Sequence, residues 1–253
     1  MMKKIILTVL LVILPVLSWS QGKIYTKKER MEDFSTRTTK VVVSGESLLA
    51  ITLRQEVMSH WRISPFEFCT PEEYEKLKAD NSLFFLNLVT EDGVAFLSLS
   101  RGGKDDSDML HKPFEVVRIP FAADGASTGQ EFSFMGAIID VLQRFTEDAI
   151  VSDIAGYANL SAYSKSLLKG KTVYLNPTEA DKAMEEGTEN AVCGIIITPV
   201  EPGKKASCYR MLISSDTHEL YDYQQKGYKK EQDRYFTESD VKEFEKRNGV
   251  VIR

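Results

Sequence analysis

Apolar residues recur along the chain with two different periods, and each change of period marks an element. Lys40 to Gly45, "KVVVSG", reads as a strand closing on a glycine. Leu49, Leu53 and Val57 then return every four residues, with Ile51 and Met58 beside them, which predicts a helix from Ser47 to about His60. Pro65 cannot lie inside that helix, and Ile63, Phe66 and Phe68 alternate as a strand does. Thr70-Pro71-Glu72-Glu73 sets a hydroxyl before a proline at the first helical position and a carboxylate three residues on, so a capped helix follows. The segment "MSHWRISPFEFCT", residues 58–70, is therefore read as the seam where a helix passes to a strand.

"SLFFLNLV" and "VAFLSLS" are β-rich runs separated by Thr90-Glu91-Asp92-Gly93, a hairpin signal, and Phe114 to Phe121 supplies a further strand. Residues 122–130, "AADGASTGQ", have the composition of a linker. Beyond it Phe134, Ile138, Val141, Leu142, Phe145 and Ala149 form the apolar stripe of a helix over 134–151. A second helix is expected around "LSAYSKSLL", ending at Lys169-Gly170. A strand "KTVYLN", a helix ending at Gly187, a buried strand "VCGIIITPV" and a meander of "CYRMLISS" and "ELYDYQQ" turning at Asp216 to His218 follow. A last helix is capped by Thr237 and Asp240 and carries Val241 and Phe244 inward. Helices alternating with strands and hairpins predict an α/β fold, shading into α+β, with helices packed on a mixed parallel and antiparallel sheet. No internal repeat is visible. Residues 40–253 form the globular region, divisible into halves 40–121 and 131–253 joined by 122–130.

Two segments precede it. "MMKKIILTVLLVILPVLSWSQ" has a basic start at Lys3 and Lys4, an apolar run from Ile5 to Leu17, and small residues before Gln21. That is the pattern of a cleaved signal peptide over 1–20, which places the mature chain in a periplasm or outside the cell. Residues 21–39 are polar and aperiodic and read as a loosely ordered lead. The hydrophobic fraction of 43% is that of a globular protein. The formal charge of −5 becomes −7 once the two signal lysines are gone, which disfavours nucleic acid and anionic membrane as partners. No later segment is apolar for long enough to span a bilayer.

The common chemistries fail on context. "RGGKDDSD", Arg101 to Asp108, has the glycines of a phosphate loop but carboxylates that would repel the phosphate, and it lacks the acidic spacing of a calcium loop. His60, His111 and His218 stand singly, with no pair at metal-ligand spacing, so neither a metal site nor a cofactor is expected. Ser166 and Lys169 have SxxK spacing without its companion motifs. Glu67 between two phenylalanines, Cys69 at the end of the same strand, and His60 nearby are the weak candidates for catalysis. Tyr221, Tyr223, Tyr228 and Tyr235 could form a recognition surface. Cys69, Cys193 and Cys208 are odd in number, and a hairpin turning at 201–206 sets Cys193 opposite about position 214, so a Cys193 to Cys208 bridge is not expected.

"HWRISPFEFCTPEEYEKLKADNSLFFLNLV" resembles a segment of a family of uncharacterised secreted proteins from Bacteroidota-type bacteria, over about residues 48–100. The resemblance implies export and confers no activity. In its order of elements the chain is also similar to periplasmic domains of the curli-secretion channel family and to the TolB amino-terminal domain, a likeness of topology alone. The expected function is a non-catalytic binding or adaptor module of the cell envelope, with an envelope protein as partner. Two alternatives stand beside it: a hydrolase built on Glu67, Cys69 and a histidine, and a periplasmic small-molecule binder with an apolar cavity between the halves.

Overall fold

The computed structural model describes residues 27–103, 113–152, 160 and 167–252. Their order is α1 (Lys27–Met31), β1 (Thr39–Val42), α2 (Leu48–His60), β2 (Phe66–Cys69), α3 (Pro71–Leu77), β3 (Phe84–Glu91), β4 (Val94–Arg101) and β5 (Phe114–Ala123). Then come α4 (Gln130–Ser133), α5 (Met135–Val151), β6 (Thr172–Tyr174), α6 (Pro177–Glu186), β7 (Ala191–Ile197), β8 (Ser207–Ser214), β9 (Leu220–Gly227), α7 (Glu238–Lys246) and β10 (Val250–Ile252). The capping signals act where the sequence puts them. Ser47 accepts from the Ala50 N–H, and Thr70 with Glu73 and Thr237 with Asp240 form reciprocal capping boxes. Asn176 precedes Pro177 and caps α6, which stops at Gly187 in the left-handed region.

The strands make two five-stranded mixed sheets rather than one, ordered β2-β1-β3-β4-β5 and β10-β6-β7-β8-β9. In the first, β1 runs parallel to β2 and β3, and β3, β4 and β5 form an antiparallel meander. In the second, β6 runs parallel to β10 and β7, and β7, β8 and β9 form the meander. The two orders and senses are identical strand for strand. Among the described strands, the two sheets differ in where the outer parallel strand enters the chain: between β1 and β3 in the first sheet, after β9 in the second. The internal repeat that the sequence hides is thus one of topology.

Alternation along the strands gives each sheet two buried faces. Val41, Phe84 and Leu86 of the first sheet and Cys193, Ile195, Met211 and Ile213 of the second belong to one continuous core with Ile138, Ile139, Leu142 and Phe145 of α5. On the opposite faces, Val42, Cys69 and Phe85 pack under Tyr74 and Leu77 of α3, and Val173, Val192 and Leu212 pack under Val241 and Phe244 of α7. Helix α5 is buried on most of its circumference, since it serves both halves. No described helix is long and apolar enough to cross a membrane.

Three expectations need correction. The described part of the 21–39 lead is ordered: α1 and the turn after it bury Met31 and Phe34 completely, with Phe34 edge-on to Phe84 at 4.7 Å. The 122–130 stretch is no free tether, because β5 extends to Ala123 and α4 begins at Gln130 with Gln130 and Glu131 buried. The strand after Pro65 begins at Phe66, as Trp61 to Ser64 are spent closing α2. Residues 161–166 of the helix expected over 160–168, and most of "RGGKDDSD", lie outside the described residues, and the described Leu167 and Leu168 are not helical.

Candidate functional site

The seam at residues 58–70 fixes where α2 ends. The Trp61 indole N–H donates to Ser64 Oγ at 3.1 Å, Ser64 Oγ meets Thr39 Oγ1 at 2.7 Å, and the Thr39 N–H donates to the Pro65 carbonyl at 2.8 Å. Helix α2 is thereby tied to the start of β1, and its last residue, His60, is held against α5.

At that contact His60 Nδ1 lies 2.9 Å from Asp140 Oδ2 on α5. His218, carried by the β8–β9 turn, brings its Nδ1 to the same Oδ2 at 2.7 Å. The two imidazole centroids are 5.5 Å apart. His60 Nε2 faces Glu56 Oε2 at 3.3 Å, one helical turn back. The other Asp140 oxygen, Oδ1, accepts from Gln143 Nε2 at 3.0 Å. Gln143 also donates to the His60 carbonyl at 2.9 Å and accepts from the Arg62 N–H at 2.7 Å, so one buried amide locks α2 to α5 beside the cluster.

The turn that delivers His218 is built for the purpose. His218 has φ +53°, a left-handed conformation that few side chains adopt, and its N–H closes the turn on the Ser214 carbonyl at 3.0 Å. Asp216 braces it, accepting from the Asn190 N–H at 3.1 Å and from Ser214 Oγ, and Arg144 donates to the Thr217 carbonyl.

His60, Asp140 and His218 are each about one-fifth exposed, at 21, 19 and 22% of their side-chain surface. They line an open cleft of about 380 Å³ with Arg62, Gln143, Arg144, Glu147 and Thr217. Burial alone would raise the Asp140 carboxyl, but the hydrogen bonds and charge of His218 and His60 outweigh it and hold the group below the usual carboxylate range. Asp140 therefore stays anionic at neutral pH, an acceptor for two donors or a ligand for a cation. Among the described residues the three form a group whose potential ligand atoms all lie within 4.8 Å of one another.

The structure separates the residues that the sequence nominated together. Glu67 is 63% exposed and ion-paired with Lys40 on the neighbouring strand. Cys69, two residues on, is buried under α3, where burial pushes its thiol up. Glu67 and Cys69 share the α3 face of β2, whereas His60 belongs to the other side of the sheet, with α5, so the layering of helices on the two faces keeps a Glu67–Cys69–His60 site from forming. His111 lies outside the described residues. Of the tyrosines, Tyr228 is fully buried with its hydroxyl on Glu231, and Tyr235 is exposed, so the four do not make one surface. Cys193 pairs across the hairpin with Ile213, one residue from the expected register, and Cys208 pairs with Lys226; all three cysteines are free.

Asp140 was missed, and His218 was weighed only as an isolated histidine, because neither has a partner at any local spacing. Their signals were faint: a carboxylate set within the apolar run "MGAIIDVL" of a helix buried on most sides, and a histidine inside a tight turn. No family model, curated protein or solved structure matches the chain.

Proposed function

We propose that this is an exported, non-catalytic binding module of the bacterial cell envelope whose ligand is held in the cleft at His60, Asp140 and His218. The observation that carries the reading is the convergence of two imidazoles from separate parts of the chain on one carboxylate oxygen in an open cleft. A side-chain carboxylate kept anionic and oriented by Gln143 is costly to hold half-buried, and such groups cluster at sites of recognition or chemistry. Binding is favoured over turnover because Glu67 and Cys69 of the hydrolase reading lie apart from His60, and among the described residues neither a cysteine nor a serine lines the cleft. The signal-peptide pattern supports export.

The test is a thermal-shift screen of the purified mature chain against metal chlorides, phosphate, dicarboxylates, amino acids and simple sugars. Wild type is compared with Thr217→Trp, which sets a large ring at the rim of the cleft. A ligand that stabilises wild type, loses its effect in the variant and, where organic, is recovered unchanged by mass spectrometry supports the reading. No stabilising ligand, or one indifferent to the substitution, overturns it.

A second reading, binding of a small organic molecule elsewhere, is favoured by a cavity of about 390 Å³ between the halves. Phe121 and Ala122 of β5 and Ile195 and Ile197 of β7 line it, with Gln130, Asp181 and Arg234 among its polar groups. A ligand whose effect survives Thr217→Trp but is lost in Ala122→Trp would assign the function there.

A further inference from the structure

We infer that the ligand of the cleft is a late first-row divalent metal ion of the zinc type, bound by Nδ1 of His60, Nδ1 of His218 and Oδ2 of Asp140, with a further position open to the cleft. The inference rests on the binding reading above and names its ligand.

Distances support it first. The carboxylate oxygen stands 2.9 and 2.7 Å from the two ring nitrogens. Ligand atoms around a tetrahedral ion with bonds of about 2.1 Å are roughly 3.4 Å apart, so the carboxylate oxygen needs to part from the two ring nitrogens by only about 0.5–0.7 Å to admit it, and all three donors already lie within 4.8 Å of one another. The outer contacts then take the form that metal ligands usually have. With Nδ1 on the ion, the Nε2 proton of His60 faces the Glu56 carboxylate at 3.3 Å, an electrostatic partner that favours the tautomer leaving Nδ1 free to coordinate. Asp140 coordinates through Oδ2 while Gln143 holds Oδ1, and Gln143 is anchored to two backbone groups at the end of α2. A hydrogen-bonded trio alone needs neither partner.

Space has been made for the arrangement. A methyl group at position 136, one turn before Asp140, would stand 2.6 Å from Glu56 Oε2 and 2.7 Å from His60 Nε2, and the residue there is glycine. Two imidazoles and a carboxylate suit zinc, cobalt, nickel or copper. Calcium and magnesium take oxygen ligands, of which this set offers one side chain. Three protein ligands leave a vertex toward a cleft of about 380 Å³ flanked by Arg62 and Arg144, so a water or an anionic group can complete the coordination.

The experiment uses the mature chain freed of metal with a chelator, then titrated with Zn²⁺ against a competing indicator and, separately, with Co²⁺ followed by visible absorption. One ion per chain is expected, with Co²⁺ giving d–d bands and no thiolate charge transfer. His218→Asn keeps a residue tolerant of the left-handed turn and should weaken Zn²⁺ binding by at least about a hundredfold, while Glu56→Gln, which removes no ligand, should weaken it by about ten- to a hundredfold. Circular dichroism of both variants should match wild type; should His218→Asn not fold, Glu56→Gln and the Co²⁺ spectrum decide. Zn²⁺ affinity equal in wild type and Glu56→Gln, a spectrum carrying thiolate bands, or displacement of Zn²⁺ by equimolar Ca²⁺ overturns the inference. A chain that takes no metal but keeps a stabilising ligand sensitive to Thr217→Trp loses this inference and retains the binding reading. A chain stabilised by nothing loses both.

Discussion

Gly136 stands directly against the His60 ring: the Cβ it lacks would lie 2.7 Å from His60 Nε2. The obstructed atoms are the far ends of His60 and Glu56, which can swing aside, so Gly136→Ala should fold. Alanine in place of a helical glycine favours the helix by up to about 1 kcal/mol, which offsets part of the displacement. The expected outcome is a melting temperature close to wild type, with Zn²⁺ affinity reduced at least about tenfold because the Glu56–His60–Asp140 line is broken. Calorimetry and thermal melting on the same preparation check it, and a variant that binds like wild type would mean that His60 is no ligand.

Gly102 gives the opposite result from the same substitution. Its added Cβ would fall 2.1 Å from the Asp80 carbonyl oxygen and 2.9 Å from the Phe85 ring. A carbonyl in the turn after α3 cannot rotate away as a side chain does, so backbone must move. Gly102→Ala is expected to cost about 1–3 kcal/mol or more in urea denaturation. It should leave metal affinity unchanged.

Acid should loosen the docking of α7. Asp240, on that helix, is bound by buried Arg210 at 2.7 Å and approached by Lys226 at 3.4 Å. Burial would raise its carboxyl, but the hydrogen bonds from Thr237 and the two cations outweigh this and depress it. A depressed carboxyl stabilises the fold above its unfolded value near 3.9, and that stabilisation is lost as pH falls through the lower folded value. Denaturation midpoints at pH 7 and pH 2 should therefore differ more in wild type than in Asp240→Asn. At pH 7, Asp240→Ala is expected to cost about 3–5 kcal/mol, since Arg210 is left buried without its partner.

The cysteines should be silent until the protein unfolds. Cys193 is fully buried, and burial drives its thiol up to about 12. Cys69 and Cys208 are buried and raised as well. A thiol reagent at pH 8 should find no rapidly reacting group in the native protein and three per chain in guanidinium. Fast native labelling of Cys193 would contradict the packing of β7 against α6.

Local chemistry carried most of the elements. Thr70 with Glu73, Thr237 with Asp240, Gly187 and Asp92-Gly93 each act within four residues, and each sits where the sequence placed it. What could not be read locally was pairing between strands distant in sequence: β1 beside β3, and β10 closing on β6. Nothing in Val250–Ile252 distinguishes an edge strand from a fraying end. The site was hidden for the same reason, since 80 residues separate His60 from Asp140 and 78 separate Asp140 from His218. Met31 and Phe34 show the limit from the other side. Two apolar residues in a polar stretch have no period, and only the cavity they fill reveals why they are there.

The differing position of the outer parallel strand sets a timetable for synthesis. All five strands of the first sheet lie within residues 39–123, so it can close while the rest of the chain is still being delivered. The second cannot gain its outer parallel strand before residues 250–252 arrive, and β6 waits with one flank open until then. His60 is in place early, Asp140 next, and His218 only after both, so a chain emerging amino terminus first completes its cleft late.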